Sequence, residues 1–264
     1  KYFYAAKLSF ILPKKEEKAL SYIDERDVEN LTLEELAEEG YTVLKSDSYT
    51  EPNVEVDAER QNDHTKVILE GRLMSALKRF NPGYDDEIYR LALRQFKILA
   101  DSPDIMINNH YLHNLLVGGA KVKTVDKGED RTITLYPINF RNWQDNDFLA
   151  TNQFTVNQGD HERRPDVTIF VNGLPLVTFE LKNADNSNVG VREGFAQLGT
   201  YKHDVPNYMR YNQILVSSDG INARVGSMTA GIDRFMRWRE PRNVELESGT
   251  MEIETLIKYM LNPK

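Results

Sequence analysis

Between residues 28 and 117 the apolar positions recur with a helical period, and after residue 118 they switch to alternation, so the chain reads as a helical portion followed by a sheet-centred one. The first helix is expected in "VENLTLEELAEEG", with Thr32 as N-cap, Glu35 three residues on and Gly40 as the stop. A short strand is expected at Tyr41–Lys45. In "TKVILEGRLMSALKRFNPG" the residues Val67, Leu69, Leu73, Leu77 and Phe80 fall about one turn apart until Asn81-Pro82-Gly83 breaks the pattern. A further helix begins at Asp86.

Alternation on either side of Asp126–Asp130 predicts a strand pair with a polar turn, and "FLATNQFTV", "RPDVTIFVNGLPLVTFELKNAD" and "YNQILVSS" continue the strand-rich half. A helix over about 189–203 between the last two makes a strand, helix, strand crossover near 176–217, which implies a mixed sheet. The tail "MEIETLIKYMLNPK" sets Ile253, Leu256, Ile257 and Met260 on one helical face, which needs a partner in this core or beyond the chain end. No repeat or long linker divides the 264 residues, and the expectation is one α/β domain.

The hairpin around Asn172-Gly173 carries the candidate chemistry. A three-residue loop of Asn172, Gly173 and Leu174 places Val171 opposite Pro175 and Asp166 opposite Glu180. One face then holds Asp166, Thr168, Phe170, Leu176, Thr178, Glu180 and Lys182, and the other only apolar residues. A two-residue loop would mix acids with the core, which the burial cost of an unpaired carboxylate disfavours. Two facing carboxylates repel unless a cation lies between them, and a hard ion such as Mg²⁺ takes one or two carboxylates, several waters and phosphate oxygens. Lys182, on the same face, can hold the water that attacks phosphorus. The competing reading is a cross-strand ion pair on a wet sheet face.

On the following helix Gln197 and Tyr201 stand four apart on one face, where an amide and a phenol can donate to phosphate oxygens, with Arg192 before them and Lys202 after. Alternatively Tyr201 packs with Phe195 and Leu198 as helix core.

Composition narrows the chemistry. The chain has no Cys, so disulfides and thiolate metal sites are excluded, and His64, His110, His113, His161 and His203 show no zinc-like pairing. The formal charge is −8, but residues 161–240 hold 10 Lys or Arg against 9 Asp or Glu, so an anionic partner is expected there. No run of 18 apolar residues is present, and a cytoplasmic location is the expectation, without membrane contact. The opening residues, "KYFYAAKLSFILPKKEEK", lack a small-residue cleavage site, and the missing initial Met suggests a piece of a longer polypeptide.

The blocks "RRPDVTIFVNGLPLVTFELKNA", "FAQLGTYKHDVP", "YNQILVSSDG", "ARVGSMTA" and "RFMRW", with "VILEGRLMSALKRFNP", "LYPINFRNWQDNDFLATNQFTV" and "MEIETLIKYMLNP" around them, resemble the N-terminal nuclease region of the R (motor and endonuclease) subunit of type I restriction enzymes. The resemblance covers most of residues 28–262 in the family's order. It implies a restriction-endonuclease-like PD-(D/E)xK fold, a central mixed sheet flanked by helices with an extra helical N-terminal portion. Asp166, Glu180 and Lys182 match its catalytic motif, with Asp166 and Glu180 as Mg²⁺ ligands, and Gln197 and Tyr201 match its Q-x-x-x-Y motif of DNA contact.

The implied function is Mg²⁺-dependent endonuclease cleavage of double-stranded DNA, coupled to an ATP-driven translocase. Modification (methyltransferase) and specificity subunits and a C-terminal motor domain are the implied partners. The chain has no G-x-x-x-x-G-K-[ST] phosphate loop, so the motor is expected outside it, with the helix at 251–262 leading toward it. Glu35 and Glu70 are candidates for an added acid from the first helix. The alternatives are a non-catalytic docking module for the motor or modification subunits, and a stand-alone repair nuclease, against which "GSMTAGIDRFMRW" counts.

Overall fold

The computed structural model describes residues 24–46, 52–126, 129–183, 189–242, 244 and 250–263. The opening stretch and the middle of the turn at 126–130 therefore lie outside the described residues. Helix α1 (Glu25–Glu38) starts at Asp24, whose carboxylate accepts from Asp27 N while Asp27 reciprocates, a capping box eight residues, about two turns, earlier than the expected Thr32. Thr32 is buried inside the helix, its hydroxyl donating to Val28 O. Gly40, at φ +100°, follows the C-cap Glu39 and turns the chain into β1 (Thr42–Leu44).

Helices α2 (Val54–Glu59), α3 (Glu70–Phe80), α4 (Asp86–Ile98) and α5 (Ile105–Gly118) complete the helical portion. The apolar run from Val67 enters α3 only at Glu70; Val67, Ile68 and Leu69 are buried before it. Strands β2 (Ala120–Asp126) and β3 (Glu129–Leu135) pair as a separate antiparallel ribbon packed on α4.

The main sheet adds β4 (Phe148–Asn152), β7 (Val167–Val171), β8 (Leu174–Leu181), β9 (Ile214–Ser218) and β10 (Ala223–Gly226) in the order β1-β4-β7-β8-β9-β10. It is mixed: β1 runs parallel to β4 and β8 to β9, the other pairs antiparallel. A small ribbon of β5 (Val156–Gln158) and β6 (His161–Arg163) leads into β7. Helix α6 (Val189–Asp204) makes the expected crossover from β8 to β9 and packs on both, with α7 (Pro206–Met209) after it.

The hairpin obeys both registers weighed for it. Asn172 and Gly173 form a two-residue turn, with φ of +49° and +81°, and pair Val171 with Leu174 and Phe170 with Pro175. A bulge then adds one residue to β8, so that Ile169 meets Val177 and Thr168 meets Thr178, the sorted register. The expected three-residue loop is thus replaced by a tight turn plus a bulge, which twists the strand while keeping acids apart from the apolar face.

That polar face is not wet. All eight residues of β8 are buried, and the Tyr208 hydroxyl lies between Thr168 and Thr178, 2.7 and 2.6 Å away. Helix α8 (Glu252–Met260) packs against α1, burying Ile253, Leu256 and Ile257, and the Tyr41 hydroxyl donates to Leu261 O; its apolar face belongs to this core. No helix among the described residues is long and apolar enough to cross a membrane.

Gly173 should be irreplaceable at the turn. A Cβ there would lie 2.4 Å from Leu69 O, which belongs to the residue whose N–H donates to Gly173 O. Gly173→Ala is expected to lower stability by about 3 kcal/mol, from left-handed strain plus overpacking. Denaturant unfolding checks it; an unchanged midpoint would contradict the turn geometry.

Candidate active site

Asp166, Glu180 and Lys182 converge where β7 begins and β8 ends. One rung beyond Val167 and Phe179, the Asp166 carboxylate turns inward and accepts from Leu181 N at 2.6 Å. Glu180 is fully buried. Its Oε1 accepts from Lys182 Nζ at 2.6 Å, and Glu25 Oε1 of α1 is 3.8 Å from the same ammonium. Glu180 Oε2 makes no hydrogen bond of ordinary geometry, although the Tyr201 hydroxyl and the Asp166 carboxyl lie close enough to act on the Glu180 carboxyl, and it is a buried acceptor at the centre of the site.

The electrostatics follow from this burial. Desolvation raises the Asp166 carboxyl to about 6 against the opposing pull of the Leu181 amide and Lys182. Burial, reinforced by the Asp166 charge, raises Glu180 to about 8, again against Lys182. Burial alone would lower Lys182, yet the charge and hydrogen bond of Glu180 outweigh it and the ammonium is held above its ordinary value. Near neutral pH the carboxyl pair therefore resists carrying two negative charges, whereas Lys182 stays a donor.

Helix α6 closes the other side because two of its residues have no side chain. A Cβ on Gly194 would stand 2.4 Å from Ser217 Oγ and 3.4 Å from Glu180 Cγ, and one on Gly190 3.2 Å from Lys182 Cβ. This close approach carries Gln197 and Tyr201 to the site. The Gln197 amide donates to the Tyr201 hydroxyl at 2.8 Å, and that hydroxyl reaches Arg164 O at 3.4 Å. Tyr201 is 2% exposed and packs as helix core, but its hydroxyl is aimed into the site, and burial with the Glu180 and Asp166 charges raises its pKa. The core reading of Tyr201 therefore holds, with its hydroxyl turned toward the acids. Arg192 is exposed on α6 and does not line the cleft.

An open cleft of about 440 Å³ leads to these groups, its wall including Asp166, Gln197, Tyr201, Arg163, Arg164 and Gln153, with Glu180 behind it. Neither Glu35 nor Glu70 lines it; Glu70 pairs with Lys97 at 2.7 Å. Glu25 and Glu29 of α1 do. Glu29 is 3% exposed and accepts from Asn152 Nδ2 at 2.7 Å and Gln153 Nε2 at 2.9 Å; burial, against those two bonds, raises it to about 7. Gln153 holds a positive φ of 55° to present that amide. Spacing could not have found Glu29, because its partners lie more than 120 residues away. Arg163 is fixed by Asp204, and Arg163 and Arg164 give the cleft cationic walls above its acids.

Among the described residues no group of three His, Asp or Glu side chains is gathered closely enough to hold a metal ion unaided. Two acids with an orphaned oxygen nevertheless fit a hard divalent cation of the kind that completes its shell with waters and substrate oxygens. The residues that could hold it are Asp166 and Glu180.

The family model described as the type I restriction enzyme R protein N terminus matches residues 22–234. A Methanocaldococcus jannaschii protein named as the MjaIXP endonuclease subunit of a type I restriction enzyme is 32% identical over 96% of this chain and 24% of its own length. The type I restriction enzyme HindI endonuclease subunit of Haemophilus influenzae is 31% identical over 90% of this chain and 24% of its own. The EcoprrI endonuclease subunit of Escherichia coli is 26% identical over 84% of the chain and 66% of that protein. The chain thus spans about a quarter of the length of the first two relatives.

The raised carboxyls make stability depend on pH. Their unfolded values lie near 4, so from about pH 5 to 8 the folded state keeps protons that the unfolded state has lost, and stability falls as pH rises. Glu180→Gln, which retains an acceptor for Lys182, is expected to flatten that fall and to exceed the parent chain in stability at pH 8 while matching it near pH 5. Thermal unfolding across the range checks this; a parent whose stability climbed steadily to pH 8 would contradict the burial of these acids.

Proposed function

The chain belongs to the family of type I restriction enzyme R protein N termini, and from that membership we propose that it is the endonuclease module of such a subunit, hydrolysing phosphodiester bonds of double-stranded DNA with Mg²⁺. The observation that carries the reading is the orphaned Glu180 Oε2, buried beside the Asp166 carboxyl and the Lys182 ammonium. An acceptor left unpaired at a fully buried position is costly unless something outside the chain completes it. The arrangement supports the PD-(D/E)xK assignment, with Asp166, Glu180 and Lys182 as its three motif residues.

Asp166 and Glu180 would hold the metal, Asp166 with its orientation set by the Leu181 amide. When bound, the cation supplies a Lewis acid that takes up charge on the phosphoryl oxygens. Lys182 spends one of its three N–H groups on Glu180 and keeps two for the attacking water or a phosphate oxygen; its raised pKa suits a donor better than a base. Gln197 fixes the Tyr201 hydroxyl, and that pair orients α6 against the DNA backbone. Arg163 and Arg164 add charge-assisted donors to phosphate at the cleft wall. These are contacts to phosphate and not to base edges, so sequence choice must come from elsewhere, in this reading a specificity subunit.

The remaining parts of the proposal are the partners: a C-terminal ATP-driven motor on the same polypeptide, and modification and specificity subunits, all acting in the cytoplasm. In the intact complex, Asp166→Ala, Glu180→Ala and Lys182→Ala should each reduce cleavage by roughly 10²-fold or more, while ATP hydrolysis and translocation continue. Gel assays of cleavage run beside an ATPase assay decide it. Wild-type cutting by all three variants, with impaired assembly instead, would replace this reading with a docking module.

A further inference from the structure

The sheet carries a second set of cations on the same rung as Glu180. Glu180 pairs with Ser217 on β9, Ser217 with Arg224 on β10, and residues in register share a face of the sheet. Beyond β10 the chain returns as an added edge: Val225 and Met236 exchange both backbone hydrogen bonds, which sets Arg237 opposite Arg224. At about 4.8 Å per strand, Arg224 and Arg237 start about 10 and 14 Å from Glu180 along one line.

Three further features make this a built strip. Glu252, 15% exposed in its side chain, holds Arg224 through Oε2 and Arg237 through Oε1, the latter at 3.1 Å, so two guanidiniums share one carboxylate and remain net positive. Phe235 anchors the edge by packing on Phe195 of α6 at 4.9 Å and over Gly226, where a Cβ would come within 2.4 Å of the ring. Between Glu180 and the pair lies the first turn of α6, tied down by Ser217 Oγ to Val191 O at 2.7 Å, and the next residue, Arg192, is exposed there. Among the described residues the acids near the strip include Glu193, Glu252 and Asp219, the last lying against the first turn of α6 at Gly190.

We propose that Arg192, Arg224 and Arg237 form a phosphate track that leads from the cleft over the start of α6 to the sheet edge, gripping the DNA backbone beside the cut. Phosphates of one strand recur about every 3.4 Å along the duplex axis, so the track reaches about three or four nucleotides from the scissile bond. It rests on the reading of the chain as a DNA-cleaving module and adds where the flanking backbone lies. Guanidiniums presented on a fixed carboxylate are suited to that planar, charge-assisted contact.

Fluorescence anisotropy of a labelled 30-base-pair duplex with the 264-residue chain, without divalent metal and over 25–150 mM salt, tests it. The combined variant Arg192→Ala, Arg224→Gln and Arg237→Gln should bind at least tenfold more weakly at 50 mM salt. Its plot of log affinity against log salt should be shallower by about 2–3, one contact contributing about 0.9. Should the triple variant unfold, Arg192→Ala and Arg237→Gln, both at exposed positions, should each lower the slope by about 0.9. An unchanged slope, or no binding by the unaltered chain at 25 mM salt, overturns the track. Arginine-dependent binding together with normal cleavage by the Asp166, Glu180 and Lys182 variants would instead sink the nuclease assignment and leave the track standing.

Discussion

Two carboxyl groups and one ammonium are packed at the end of a hairpin whose longer strand is buried at every position, and the rest of the molecule is arranged around that imbalance. A second negative charge there has to overcome desolvation and mutual repulsion, which a single lysine only partly offsets. Protonation is one answer, and the raised carboxyl pKa values point that way. A divalent cation would be the other, and Glu180 Oε2, without a hydrogen bond of ordinary geometry, is an oxygen it could take. The cost is concentrated at this one point, and the surrounding elements bear it.

Those elements are specific. The bulge in β8 lets a tight Asn172-Gly173 turn coexist with a register that puts Asp166 and Glu180 on one face. Gly190 and Gly194 let α6 come near enough for Tyr201 to reach the site. From the other side, α1 delivers Glu25 and Glu29, and the Asn152-Gln153 pair at the end of β4 holds Glu29 in place. Strand ends, one helix from each side of the sequence and a strained amide thus converge on a single cleft, so that its polarity is a product of the whole sheet and not of one motif.

Much of this could be read from the residues. The period-two alternation in 166–182 was enough to group Asp166, Glu180 and Lys182, and the four-residue spacing grouped Gln197 with Tyr201, because both are local geometric rules. The mixed sheet followed from hairpins joined to a crossover. What stayed hidden depended on distance in sequence. Burial of the polar face requires knowing that helices cover it, and Tyr208, which satisfies its threonines, sits 30 to 40 residues away. Glu29 meets its amides across more than 120 residues, so Glu35 and Glu70 were indistinguishable from it by pattern. Thr32 passes for a cap because Asp24 lies before the apolar period begins. Arg224 and Arg237 look like scattered surface cations until β10 and its return edge bring them to one carboxylate.

Calorimetric titration of the chain with Mn²⁺ or Mg²⁺ probes the carboxyl pair directly. Saturable binding that releases protons at pH 7, and that disappears in both Asp166→Asn and Glu180→Gln, is what a cation-completed site requires. Equal binding by the parent chain and both variants, or none by the parent even with duplex DNA present, would mean that the buried acids serve the fold alone.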